Sequence, residues 1–528
     1  MPGLRKFYFC RKQKQGFMKK YTRIMMMSGL GMSFMLLSFP LTAQIDVGNQ
    51  LDTVKQKVST INDKVAAVEE RLATAEGDLA KLTKLKVSGY IQAQWVNNEA
   101  SNVYPNNYFM VRRARVKFTY EPIDGIVFVL QPDFQPGNIT IKDAYAQAND
   151  PWLKMFSLWV GKFNRPNYEV EYSSSTREVA ERSRVIRAIY PDERAIGAKL
   201  EIHPPKLPLK FQLAVFNGND GLSTPDASGN YAVLQNVDYD NYKDMMARFT
   251  YTFKLGNFGG LTVGTHGYYG SIKSNSLTVL NSDYTINKTQ DNIGKSVPKQ
   301  WYGFEAQLSM DVLGGLILKG EYIRGINSIP GLTTSSSAVA TANSIKNDTL
   351  WMTTTTTKTS TSTPAITKSF SGWYIYLIKN IGKRNQVTVR YDWYNPNTKL
   401  SAGQIGTAKY DGSQTTIDPK PVKTYAGSDP TVATVTQTNN VFTSKLASGT
   451  SDIPYGTWDF AYAYYFTDNI KFMIDYDIVL NKKVGVVNPA TNVGNVTSSY
   501  TTNNVPGVYD YSNLIHQNVL TLRLQVKF

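Results

Sequence analysis

Arg113, Arg115 and Lys117 occupy every second position of one short segment. In an extended chain successive side chains leave opposite faces, so these three form a basic column on one face. Lys142, Arg248, Lys254, Arg390, Lys471 and Arg523 lie in other segments of the same period and join that face if parity is kept. Fixed guanidinium and ammonium groups in a wet channel replace part of an anion's hydration and raise its local concentration. The planar guanidinium also grips a phosphate-like oxyanion through two donors at once. A second use of the same residues stays open. Glu201, Glu305, Glu321, Asp392, Asp475 and Asp477 fall on water-facing positions too, so each arginine either meets solute or pairs with an acid and braces a wall.

Catalytic chemistry finds little support. Past residue 43 the histidines are His203, His266 and His516, far apart in sequence and without metal-ligand spacing, and no glycine-rich phosphate loop occurs. The single cysteine, Cys10, lies in the first segment. No cofactor is implied and the chain reads as no enzyme. The basic residues are spread at strand period, not gathered on one helix or patch, which argues against nucleic acid as a partner.

The elements that must carry these side chains show a repeat of two. Leu520, Leu522, Leu524, Val526 and Phe528 interleave with Thr521, Arg523, Gln525 and Lys527; Phe249, Tyr251 and Phe253 interleave with Arg248, Thr250, Thr252 and Lys254. Sixteen such segments are expected at 87–97, 107–121, 126–134, 138–149, 155–163, 194–203, 209–217, 243–255, 260–273, 300–311, 315–327, 370–379, 386–396, 456–466, 470–482 and 517–528. Apolar-out, polar-in strands of about ten residues suit an all-β transmembrane barrel of about 16 antiparallel strands. Short turns alternate with long connections at 218–242, 274–299, 328–369, 397–455 and 483–516, the asymmetry of periplasmic turns against external loops. The Ser/Thr tract 333–363 is expected to be a polar loop without regular structure. Mean hydropathy is −0.31, as expected when half of every strand faces water. The 33 tyrosines suit aromatic girdles at the two lipid interfaces.

Residues 1–43 hold eight basic residues and no acid before an uncharged stretch from Ile24 to Ala43, which predicts a signal peptide starting at Met1 or Met18. Its removal takes eight positive charges from the formal +16 and leaves +8. In 44–86, Leu51, Val58, Val65, Leu72 and Leu79, with Val54, Ile61, Val68, Ala75 and Leu82, form unbroken a and d positions. This predicts a periplasmic α-helical coiled coil, with a/d residues that favour three strands or more and hence a homotrimer. Its rod would be about 48 Å long.

Four stretches resemble the phosphate-selective porin O/P family in order and spacing: Phe109 to Val116, Ile141 to Tyr145, Val160 to Pro166, and Ser174-Ser175 leading to Glu181-Arg182. The resemblance covers 87 to about 220. It implies a homotrimeric sixteen-stranded outer-membrane porin with an N-terminal periplasmic coiled coil, in which the loop 164–192 folds into the lumen as a constriction. Arg165, Arg177, Arg182, Arg184 and Arg187 would then join the basic column, with Ser174 and Ser175 as hydroxyl donors to an oxyanion; Glu169, Glu171, Glu178 and Glu181 share the loop. The family pattern leads one to expect lysines beside the Ser-Ser pair, whereas here Glu171 and Tyr172 precede it.

The expected function is a passive diffusion channel in the outer membrane of a Gram-negative bacterium, for small hydrophilic solutes and with a preference for anions such as phosphate. Its expected partners are two further copies of the chain through coiled coil and barrel walls, outer-membrane lipid, small anionic solutes and peptidoglycan. The alternatives are a non-selective general porin and a structural tether between outer membrane and cell wall whose barrel is plugged by its loops.

Overall fold

The computed structural model describes residues 46–99, 105–218, 223–225, 231–233, 240–276, 279–288, 292–311, 314–346, 349–401, 405, 420–422, 452–482, 486–487, 509–510 and 517–528. The expected signal peptide lies outside them. Two units are present. In the first, a single α-helix, α1, runs Asp46–Thr83. Its heptad residues Leu51, Val54, Val58, Ile61, Val65, Val68 and Leu72 are all exposed among the described residues.

The second unit is a closed antiparallel barrel of sixteen strands. They are β1 (Leu85–Asn98), β2 (Asn107–Ile123), β3 (Ile126–Gln135), β4 (Asn138–Asn149), β5 (Phe156–Asn164), β6 (Arg194–Ile202), β7 (Leu209–Phe216) and β8 (Asp244–Lys254). Then follow β9 (Gly259–Lys273), β10 (Ser296–Met310), β11 (Leu316–Ile329), β12 (Ala365–Ile381), β13 (Asn385–Asn395), β14 (Tyr455–Tyr465), β15 (Ile470–Asn481) and β16 (Val519–Lys527). Each corresponds to one expected segment, with β10 and β12 beginning several residues earlier. Val279–Leu280 joins the sheet from outside the cylinder, running parallel to Ala365–Ile366.

Strands next in sequence pair with one another, and the cylinder is sealed where β1 pairs with β16, Ile91 opposite Val526. There Gly89 and Phe528 exchange both backbone hydrogen bonds at 3.0 Å. A Cβ on Gly89 would press into the Phe528 ring and stand 2.5 Å from the Arg115 carbonyl oxygen, so only glycine fits this point of the seam.

The burial pattern is the reverse of a soluble sheet. On β16, Thr521, Arg523 and Gln525 are buried while Leu524 and Val526 are exposed; on β14 and β15, Asp459 and Asp475 are buried while Trp458, Phe460 and Ile474 face outward. Exposed apolar rows tolerate such a position in lipid, and a closed ladder leaves no unpaired strand edge there. The core lies inside the cylinder. Between β5 and β6 the loop 165–193, with short helices α2 (Tyr168–Glu171) and α3 (Arg184–Ile189), packs Tyr168, Val170, Val179, Val185, Ile186, Ile189 and Tyr190 against Phe163, Phe216, Met246, Tyr268, Trp301 and Phe370 of the wall.

One expectation is corrected. The Ser/Thr tract is no irregular loop: Leu332–Lys346 and Thr349–Thr363 pair as a hairpin, Leu332 opposite Thr363, and Lys420–Val422 adds a third strand. Threonine is β-branched and fits a pleated ribbon, a preference that reading the tract by its polarity overlooks.

Candidate functional site

The candidate site is built from the inward faces of the strands and the loop 165–193 that they hold. Wall residues reach this loop from many sides. Gln92 on β1 donates to the Ser174 carbonyl at 3.1 Å, and Gln525 on β16 to the Ser175 carbonyl at 3.0 Å. Lys319 on β11 meets Glu178 at 2.8 Å; the Tyr376 hydroxyl on β12 donates to Glu169 at 2.7 Å; Arg390 on β13 donates to the Glu181 carbonyl at 2.7 Å; Lys471 on β15 donates to the Arg177 carbonyl at 2.9 Å. A loop fixed from so many directions is a built part of the bore.

Its charges are arranged unevenly. Arg112, Arg113 and Arg523 converge on Glu181, at 2.9, 3.7 and 3.2 Å. Arg177, Arg182 and Arg194 converge on Glu193, at 2.9, 2.6 and 2.9 Å. Two carboxylates thus serve six guanidiniums, with Asp143 also bound by Arg194 at 2.8 Å. Arg115 adjoins this group and pairs with the buried Asp133 at 2.8 Å. Elsewhere along the wall the balance turns acidic: Asp459, Asp475 and Asp477 cluster closely beside Arg390, which pairs with Asp459 and, at 3.5 Å, with Asp392.

The loop carboxyls are held ionised by these neighbours. Burial alone would raise Glu171, but Arg248, Lys210 and Lys199 together outweigh it and hold the group at about 2. Glu181 and Glu193 are likewise raised by burial and brought below the usual carboxylate range by Arg113 and Arg112 and by Arg177 and Arg182.

Most of the arginines singled out from the sequence are ion-paired within the barrel; Arg187 is exposed, and Arg165, fully buried, lies over the Tyr190 and Phe216 rings. Besides Arg113, Arg115, Arg177, Arg182 and Arg390, Arg248 binds Glu171 and Glu305, each at 2.6 Å, and Arg184 faces Asp392 at 3.9 Å and Thr457 at 2.5 Å. The Ser174 hydroxyl accepts from Arg115 at 3.3 Å, and the Ser175 hydroxyl lies 3.0 Å from that of Ser173. Lys117 and Lys142 have no carboxylate within ion-pair distance among the described residues.

Sequence reading missed Arg112. Strict alternation turns it away from the bore, but the register slips between Gln92 and Ala93, opposite this point. The resulting β-bulge turns Arg112 to the same carboxylate as Arg113. It also missed Glu193 and Asp133, acids outside the segments taken as site-bearing, which become visible only when strand register is known. Lys199, also missed, lies 3.8 Å above the Trp159 ring.

Among solved structures the barrel is similar to OmpT of Vibrio cholerae in its trimer form (8% identity, 84% of this chain and 99% of that one, TM-score 0.40). It is also similar to an anion-selective porin from Comamonas acidovorans (8%, 84% and 99%, 0.43) and to OprB of Pseudomonas putida (8%, 86% and 96%, 0.47). No curated protein matches the sequence. Residues 74–296 match the family model described as phosphate-selective porin O and P. With a sealed barrel whose outward face is apolar, this match makes the chain a porin channel of the Gram-negative outer membrane, bearing the phosphate-selective porin O and P pattern over residues 74–296.

Proposed function

We propose that this porin conducts small hydrophilic solutes passively with a preference for anions, phosphate among them. The observation that carries the reading is the convergence of six guanidiniums on Glu181 and Glu193. Each carboxylate cancels one charge and leaves the rest as a positive field in a narrow, partly desolvated space, where fixed charge acts most strongly on a passing ion. Arg113, Arg115, Arg177 and Arg182 both brace the loop and supply that field. Lys117 and Lys142 extend it along β2 and β4, and Ser174 and Ser175 lie beside it as hydroxyls for an oxyanion. The deciding experiment is the reversal potential of the purified protein in planar bilayers under a salt gradient, followed by phosphate competition against chloride current. An anion-sign potential with phosphate block supports the reading; a zero or cation-sign potential overturns it.

The exposed heptad stripe of α1 supports assembly of three copies through a periplasmic coiled coil, because an apolar seam of that length is costly to leave in water. A rival reading, a barrel closed by its loop and serving to tether membrane to cell wall through peptidoglycan contact, draws on the loop's many anchors. It predicts conductance near nil and peptidoglycan co-sedimentation that is lost on deletion of 46–83.

A further inference from the structure

We propose that His266, Glu305 and Glu321 form a site for one divalent cation of the first transition series, inside the barrel wall and separate from the anion path. The three come from neighbouring strands β9, β10 and β11, and one ligand atom from each lies within 4.8 Å of the others. Glu305 and Glu321 stand directly opposite each other in the β10–β11 register. Like charges so placed repel, and burial makes the repulsion stronger.

Glu305 is compensated by Arg248, which donates to both its oxygens at 2.6 and 3.0 Å, but Arg248 also serves Glu171. Glu321 has no lysine or arginine within ion-pair distance among the described residues; its only basic neighbour there is His266, whose Nδ1 lies 3.3 Å from Oε1. A carboxylate 3% exposed and facing a second carboxylate requires a cation or a proton.

His266 supplies the independent sign. The ring is 3% exposed and neither nitrogen makes a hydrogen bond, a costly state for a polar group. Its orientation is built: Gly303 is opposite His266 in the β9–β10 register, and a Cβ there would lie 2.6 Å from Nε2. The bare backbone gives the ring room while Nδ1 is turned to Glu321.

The surroundings resemble the outer layer of a metal site, in which ligating carboxylates are themselves hydrogen-bonded. Glu321 accepts from Asn167 at 2.7 Å and from Tyr374 at 2.5 Å, and Glu305 from Arg248. One imidazole with two carboxylates suits zinc or a neighbouring divalent ion better than the all-oxygen preference of calcium or magnesium. Asn167 also caps α2, accepting from Glu169 and Val170, so a bound ion would fix the root of the loop.

The test is zinc stoichiometry of the full chain, purified in detergent, stripped with EDTA and re-equilibrated with excess Zn2+. One zinc per chain is expected, with affinity lowered at least roughly tenfold in His266→Asn and in Glu321→Gln. Asp477→Asn, in the separate acidic cluster of β14 and β15, should keep wild-type affinity. The heat-dependent gel shift of a folded barrel verifies each variant, and the two replacements at different strands guard against one failing to fold. No zinc uptake by stripped wild type, meaning that a proton balances Glu321, overturns the proposal; so does unaltered binding in both site variants, or loss of binding in Asp477→Asn.

Discussion

The Arg112 guanidinium donates from Nε and Nη2 to the two carboxylate oxygens of Glu181, at 2.9 and 3.0 Å, across 69 residues of sequence. This forked pair joins a bulge in the barrel wall to the far part of the loop 165–193, and Arg113 and Arg523 gather on the same acid.

Glu181→Gln should therefore free positive field without removing any arginine. The ratio of anion to cation permeability is expected to rise roughly threefold, as fixed charge of one sign dominates the constriction. Reversal potentials of the variant and wild type under the same salt gradient measure it; an unchanged ratio would place Glu181 away from the ion path.

Arg113→Glu combined with Arg115→Glu should lower anion preference. Unchanged selectivity would show that these side chains do not act on the path.

Arg115→Ala is a test of stability. It leaves Asp133 buried without its cation, an arrangement that costs about 3–5 kcal/mol. The unfolding midpoint in denaturant, read in detergent, should fall accordingly; a shift corresponding to under about 1 kcal/mol would mean that water reaches Asp133.

Acid should loosen the loop. Glu171, Glu181 and Glu193 are held below the ordinary carboxylate range by adjacent arginines. A depressed value in the folded state gives stability that is complete above the unfolded value, about 4.3 for glutamate. It is lost as pH falls through the folded values. Single-channel conductance should stay level from neutral pH to about 4 and change steeply toward about 2. A transition centred near pH 6 would point to other groups.

Replacing Val58 and Val65 together with lysine puts charge on the heptad stripe of α1. Trimers in detergent, followed by light scattering, should give way to smaller species while the barrel keeps its heat-dependent gel shift.

Much of this architecture is legible in the sequence, because a period of two needs no knowledge of distant contacts. Leu520 to Phe528 reveal a strand by themselves, and all sixteen segments take strand form. The family pattern around Phe109 to Val116 and Val160 to Pro166 is equally local. What cannot be read locally is pairing. Arg113 looks the same whether it meets solute or Glu181, and only the fold decides which acid lies opposite. The bulge at Arg112 illustrates the limit: one slipped register breaks the parity that placed its neighbours correctly. The Thr353–Thr357 run fails for another reason, since polarity and strand preference point in different directions for threonine.

The seam between β1 and β16 sets an order of events. Gln92 and Gln525, 433 positions apart, hydrogen-bond across it at 2.7 Å, so neighbouring hairpins can form early while the cylinder remains an open ribbon with two bare margins. Such margins invite other chains. Closure must wait for the most distant partners to meet, so the ends of the chain are the last part of the wall to find each other.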